Sequence, residues 1–139
     1  MTQHSLGINM DAEKEALDAL KSFFDRMTQW EFKAGEVKHL FRDDPAHSPV
    51  RVELILMQQE LCVPGAKARG YSFSSPPTYS NIEISSIECT KDKVLVKTSQ
   101  KRAGVSEEFH FKLAKKNDKW LLVERSLIPR NGAPIKFSF

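Results

Sequence analysis

The sequence predicts an α+β fold in one domain, and three observations carry the prediction. Apolar residues recur at spacings of three and four from Ala16 to Trp30, the stripe of a helix that buries one face. From Ile82 onward they recur at every second position, as in strands covered on one side. Helical signals come first and strand signals afterwards, an order that gives a layer of helices on an antiparallel meander rather than alternating parallel units.

The elements follow in chain order. Residues 1–9 are mostly small or polar and do not repeat, so a flexible tail is expected there. Asn9 or Asp11 can cap the helix that follows, predicted over Asp11–Glu31. Its stripe is Ala16, Leu17, Leu20, Phe23, Phe24, Met27 and Trp30, about 30 Å in all. Asp11, Glu13 and Glu15 lie in its first turns, where negative charge suits the helix dipole. Its aromatics are expected to pack on the sheet. A second helical segment, Glu31–Phe41, is predicted after a break near Gly35, with Phe32, Val37, Leu40 and Phe41 as its apolar set and Arg42-Asp43-Asp44-Pro45 ending it. Residues 50–62, VRVELILMQQELC, read either as a strand or as a helix. Length, Glu and Gln content and Pro49 at the first turn favour the helix, which makes three. Residues 63–80, rich in Pro, Gly and Ser, form an irregular crossing.

The sheet occupies the remainder. Ile82 and Ile84 share one parity, whereas Ile87 and Cys89 fall on the other, so a bulge is expected at Ser85 or Ser86 that returns all four to one face. Thr90–Lys93 turns the chain into a strand with Val94, Val96 and Thr98 on one side. A second turn surrounds Gly104. The organising hairpin runs from Ser106 to Ile128: Phe109, Phe111 and Leu113 alternate with Glu108, His110 and Lys112. The KKNDK reversal at Lys115–Lys119 follows, its Asn and Asp tolerating left-handed backbone. Trp120 and Leu122 then face one way and Leu121 and Val123 the other, a strand covered on both faces. Past Pro129 another turn leads to Ile135, Phe137 and Phe139, a final edge strand.

Composition narrows the function classes. At 139 residues, 40% hydrophobic and 28% charged, the chain carries an ordinary core and neither a disordered composition nor a membrane span. The start, MTQHSLGINM, lacks the basic and apolar regions of a signal peptide, so a cytoplasmic location is expected. Cys62 and Cys89 are too few and too far apart for a zinc ribbon or disulfide framework and read as buried thiols. The net charge of +3 is mild. Basic residues cluster loosely at Lys91–Lys101 and Lys112–Lys119, without the dense patch and interleaved aromatics of a nucleic-acid surface. Metalloprotease, nucleophile-elbow and phosphate-loop motifs are missing, and His4, His39, His47 and His110 are scattered. No catalytic residue, metal or cofactor is predicted.

Several stretches carry a resemblance. FFDRMTQWE at Phe23–Glu31, SFSSPPTYS at Ser72–Ser80, KVLVKTSQK at Lys93–Lys101 and FHFKLAKKNDKWLLVER at Phe109–Arg125 are similar to one branch of the nuclear transport factor 2-like superfamily, the immunity proteins of bacterial polymorphic toxin systems. The similarity spans roughly residues 11–126, with the double proline before Tyr79 and the late Trp120 as its most specific marks. The chain departs from the family pattern at Leu121-Leu122-Val123, where basic and acidic residues are usual, and in the segment Pro129–Phe139. The resemblance implies a cone of about three helices on a bent antiparallel sheet. It also implies a protein that binds and neutralises a cognate toxin domain without turnover; the charge pattern and composition add the expectation of no nucleic acid and no membrane partner. The expected contact residues, on the exposed side of the sheet or its turns, are Arg102, Glu108, His110, Lys112 and Arg125. A homodimer is compatible, since sheet faces of this fold often pair and the edge at Ile135–Phe139 is open. The alternative is an isomerase- or dehydratase-like enzyme using an apolar pocket in the cone, for which Tyr71, Tyr79 and Glu124 are the candidates.

Overall fold

A helix of 36 residues, α1 (Thr2–Val37), packs across one face of a five-stranded antiparallel sheet in the computed structural model, which describes residues 2–37, 48–66, 77–102 and 104–139. The strands are β1 (Ile82–Thr90), β2 (Lys93–Arg102), β3 (Val105–Lys116), β4 (Lys119–Ile128) and β5 (Ile135–Phe137), and they lie side by side in chain order. A second helix, α2 (Pro49–Leu61), completes the helical layer. The α+β architecture is as the sequence predicts.

The helices differ from expectation in number and extent. Residues 2–9 continue α1 instead of forming a tail, because they contain no proline and their one glycine weakens a helix by only about 1 kcal/mol. For the same reason α1 passes through Gly35 without a break and absorbs the first part of the expected second segment as far as Val37. Two helices, not three, are therefore present among the described residues; Leu40 and Phe41 lie outside them. Phe32, a member of the expected apolar set, is 60% exposed.

The buried stripe of α1 is Ala16, Leu20, Phe23, Phe24, Met27, Trp30 and Ala34. It meets Val94 and Val96 of β2, Phe109, Phe111 and Leu113 of β3, and Trp120 and Leu122 of β4 in one core. Ser48 caps α2 by accepting from the Val50 amide, and Pro49 stands in its first turn, where a missing amide proton is harmless. Antiparallel docking of α2 on α1 is fixed by the Trp30 indole, which donates to the Val50 carbonyl at 2.6 Å, with Arg26–Glu60 and Lys33–Glu53 ion pairs on either side. Beyond α2, Cys62 bridges β4 at Leu122 and the Val63 amide donates to the Leu122 carbonyl at 2.9 Å. That stretch covers the β4 edge that β5 leaves open.

A polar clamp holds the end of the crossing against the core. Glu31 is buried on α1 and accepts from the Thr78 amide and hydroxyl, while Gln100 of β2 donates to the Thr78 and Ser80 carbonyls at 2.7 Å each. This seats Tyr79 between Phe23, Phe24 and Phe111 with ring centroids 5.0 to 6.2 Å apart. Phe139 packs edge-on against Phe23 at 5.7 Å and is itself buried, so side chains occupy the space between helices and sheet.

Two bulges set which residues face which way. In β1 the register passes from Ile84–Thr98 to Ser86–Lys97, which leaves Ser85 without a facing residue; its hydroxyl donates to the Lys97 carbonyl at 3.0 Å. Ile82, Ile84, Ile87 and Cys89 all pack against the core in consequence, as the parity switch predicts. In β4 the register passes from Lys112–Glu124 to Leu113–Leu122 and skips Val123. The hairpin between β3 and β4 closes through Asn117 and Asp118, with φ of 52° and 63°, the left-handed pair that a two-residue turn of this hand requires.

Candidate functional site

The helices cover one face of the sheet and leave the other open. Pairing register arranges the open face in rows that run across the strands. One row is Glu88, Leu95, Lys112 and Glu124; the next is Ser86, Lys97, His110, Ser126 and Lys136; a third joins Glu83, Ser99, Glu108 and Ile128. Thr90, Lys93, Ala114 and Leu121 form a row on the other side of the first.

Charges on these rows interlock. Lys97 pairs with Glu88 at 3.1 Å, and the His110 ring is hydrogen-bonded to the Glu108 carboxylate at 2.6 Å. Glu124 lies between Lys112 at 3.7 Å and Lys136 at 3.9 Å, and it accepts from the Ser126 hydroxyl at 2.9 Å. Exposed pairs of this kind add little to stability, typically below about 1 kcal/mol each. Their effect is to hold the charged groups in a fixed pattern.

Two hollows flank the Lys97–His110–Ser126–Lys136 row. One, of about 400 Å³, has Leu95, Ala114 and Val123 in its lining and Glu88, Lys93 and Lys112 around them. The other, of about 530 Å³, is lined by Ser99, Ser106, Glu107, Glu108, Ile128, Pro129 and Arg130. An apolar centre ringed by charge is the composition of a protein-binding patch. Among the described residues, no group of three or more His, Cys, Asp or Glu side chains is placed to hold a metal ion, and no helix is long and apolar enough to cross a membrane.

Of the five expected contact residues, Glu108, His110 and Lys112 share this face, as their alternation in β3 predicts. Arg102 is half-buried at the end of β2 opposite Val105, on the parity of the inward residues Thr98 and Gln100. Arg125 is 6% exposed and points into the core, its guanidinium 4.2 Å from the Phe109 ring centre, 5.2 Å from that of Tyr79 and 5.6 Å from that of Phe137. It also donates to the Ser138 carbonyl at 3.0 Å. The cause is the Val123 bulge, which reverses parity so that Arg125 pairs with the inward Phe111. Lys97, Glu88 and Lys136 are outward by the same alternation in their own strands, but their place beside His110, Lys112 and Glu124 is set by register between strands, which no local pattern announces.

Of the enzyme candidates, Tyr79 and Glu124 are not brought together. Tyr79 is buried among the inner aromatics, Glu124 lies on the opposite face of the sheet, and Tyr71 is outside the described residues. Neither thiol is an activated nucleophile: burial pushes Cys62 up to about 12, and burial followed by the nearby Glu13 charge raises Cys89.

Residues 15–138 match the model of a family described as NTF2 fold immunity protein. No curated protein and no solved structure matches the chain.

Proposed function

The chain belongs to the family of NTF2 fold immunity proteins, and from that premise we propose that it binds one cognate bacterial toxin in the cytoplasm and neutralises it by stoichiometric association, without catalysis. The match across residues 15–138 carries this reading, because it takes in α1 from Glu15 onward, all of α2 and all five strands rather than a single motif. Two features support it. Among the described residues, aromatic side chains pack between helices and sheet, and the enzyme candidates Tyr79 and Glu124 lie on opposite faces of the sheet. The open sheet face offers what a protein partner uses, an apolar hollow with ordered charges about it.

On this reading Glu108, His110 and Lys112 stand at the middle of the contact surface, since they occupy the outward positions of the central strand. Charge patterns of this kind set partner choice and encounter rate more than total affinity. Co-expression with each toxin domain found in the gene's neighbourhood tests the reading. Growth should be rescued by the wild-type chain, and the two purified proteins should form a one-to-one complex. Failure of both rescue and complex formation rejects it.

A further inference from the structure

The helical layer and the open sheet face carry opposite charge. Along α1, seven carboxylates outnumber four cations, and α2 adds two carboxylates against one cation. On the outward positions of the strands, seven lysines stand against four glutamates, a surplus equal to the net charge of +3 of the whole chain. Three of those lysines, Lys97, Lys112 and Lys136, are engaged by Glu88 and Glu124. The others include Lys93, Lys116 and Lys119, which engage no carboxylate among the described residues and gather at the hairpin end of the sheet beside the Leu95–Ala114–Val123 hollow. Asp92 and Asp118, in the adjoining turns, are the nearest acidic positions along the chain.

Lys116 and Lys119 also face each other directly across β3 and β4. Like charges at opposed positions of an antiparallel pair repel and weaken the hairpin they close. A sequence selected for stability alone would place one acid there. A partner that brings carboxylates to this corner relieves the repulsion on binding.

We infer that the toxin surface recognised by this face is an acidic protein patch with an apolar side chain at its centre. The apolar group seats over Leu95, Ala114 and Val123, and the surrounding carboxylates meet Lys93, Lys112, Lys116 and Lys119. This rests on the reading of the chain as a toxin-binding protein. A nucleic acid fits the same face less well. No Phe, Tyr or Trp stands among its strand residues to stack on bases, and Glu83, Glu88, Glu108 and Glu124 interrupt any track for a phosphate backbone.

Association kinetics of the full chain with the toxin domain that co-expression identifies as its partner, followed from about 50 to about 500 mM salt, test the inference. The wild-type association rate should fall steeply with salt. The pair Lys93→Glu with Lys119→Glu should slow association about tenfold at low salt and flatten that dependence, whereas Asp18→Lys on α1 should leave both unchanged. Lys116→Glu alone should raise the melting temperature by removing the repulsion and yet slow association, a combination that simple loss of folding cannot produce. A complex whose rate ignores salt and the lysine reversals overturns the inference and leaves the immunity reading intact. Absence of any complex overturns that reading and the inference with it. Binding of a short DNA duplex through the same lysines, in competition with the toxin, overturns the acidic-protein assignment.

Discussion

Trp120 donates its indole N–H to the Glu15 carboxylate of α1 at 3.2 Å and so ties the strand after the hairpin to the helix that covers the sheet. Lys115 reaches the same carboxylate at 3.8 Å. The Trp120 ring is 9% exposed and belongs to the core. Replacing it by Ala is expected to destabilise the fold by about 3 to 5 kcal/mol, because a cavity replaces a large packed ring. Glu15→Gln keeps an acceptor at a half-exposed position and should change stability by less than about 1 kcal/mol. Urea denaturation of the two variants measures both; a loss below about 1 kcal/mol for Trp120→Ala would contradict the packing described.

Ser85 supports a second expectation. Its hydroxyl fills the gap that the bulge leaves by donating to the Lys97 carbonyl, so Ser85→Ala should lose only about 0.5 to 1.5 kcal/mol. Deleting Ser85 should be far worse. Without the extra residue, Ile82 and Ile84 turn outward while Ile87 and Cys89 stay inward, and two half-buried side chains leave the core for water, each costing a part of the about 1.5 to 3 kcal/mol that full burial is worth. Equal denaturation midpoints for the substitution and the deletion would refute the bulge.

The two bulges show how far this fold could be read from sequence. The first is legible because a parity switch across Ser85-Ser86 separates isoleucines from polar residues on both sides, and the contrast marks the slip. The second is hidden, because Leu121, Leu122 and Val123 are apolar on both parities, so nothing local shows which residue is skipped. Arg125 is therefore read as outward when it is buried. Helix continuity through Gly35 is a matter of summed tertiary packing, which a single glycine does not outweigh. For the site, Glu108, His110 and Lys112 follow from alternation along one strand. Their neighbours Lys97, Glu88, Glu124 and Lys136 follow from register between strands distant in sequence.

Arg125 yields a third prediction that separates packing from recognition. Its guanidinium lies over the Phe109 ring within the inner aromatic cluster, where a desolvated cation and ring attract by about 2 kcal/mol. Arg125→Ala should lower the melting temperature strongly. Arg125→Lys should recover little, since an ammonium lacks the planar fork that stacks on a ring and donates sideways to the Ser138 carbonyl. Thermal unfolding of both variants measures this. A melting temperature unchanged in Arg125→Ala would place the side chain in solvent.

Cys62 makes stability fall at alkaline pH. Its folded thiol titrates at about 12 against an ordinary 9.0, so between those values the folded state keeps a proton that the unfolded chain releases. The contribution is fully present below pH 9.0 and is lost as pH rises toward 12, at a slope of up to about 1.4 kcal/mol per pH unit. Cys62→Ala should lower stability at neutral pH by leaving a small cavity and should also show a shallower decline from pH 9.0 upward. Parallel slopes for wild type and variant across that range would contradict the burial of this thiol.

The hollow on the open face offers the sharpest functional prediction. Ala114 lies outward on β3 between Lys93 and Leu121, in the lining of the hollow. Because it has only a methyl group there, Ala114→Arg can extend a long side chain over Leu95 and Val123 without entering the core, and its stem can rest on their apolar surface. The melting temperature should stay near that of the wild type. Toxin affinity should fall at least about tenfold, because the added group occupies the space reserved for an apolar side chain at the centre of the interface, where truncations and blockages are felt most. Rescue of growth by co-expression should fail in step with affinity. A comparable change at Phe32, which is exposed on the helical side, should leave binding and rescue intact. If Ala114→Arg binds as tightly as wild type while Phe32→Arg does not, the helical layer is the binding surface and the sheet face is not.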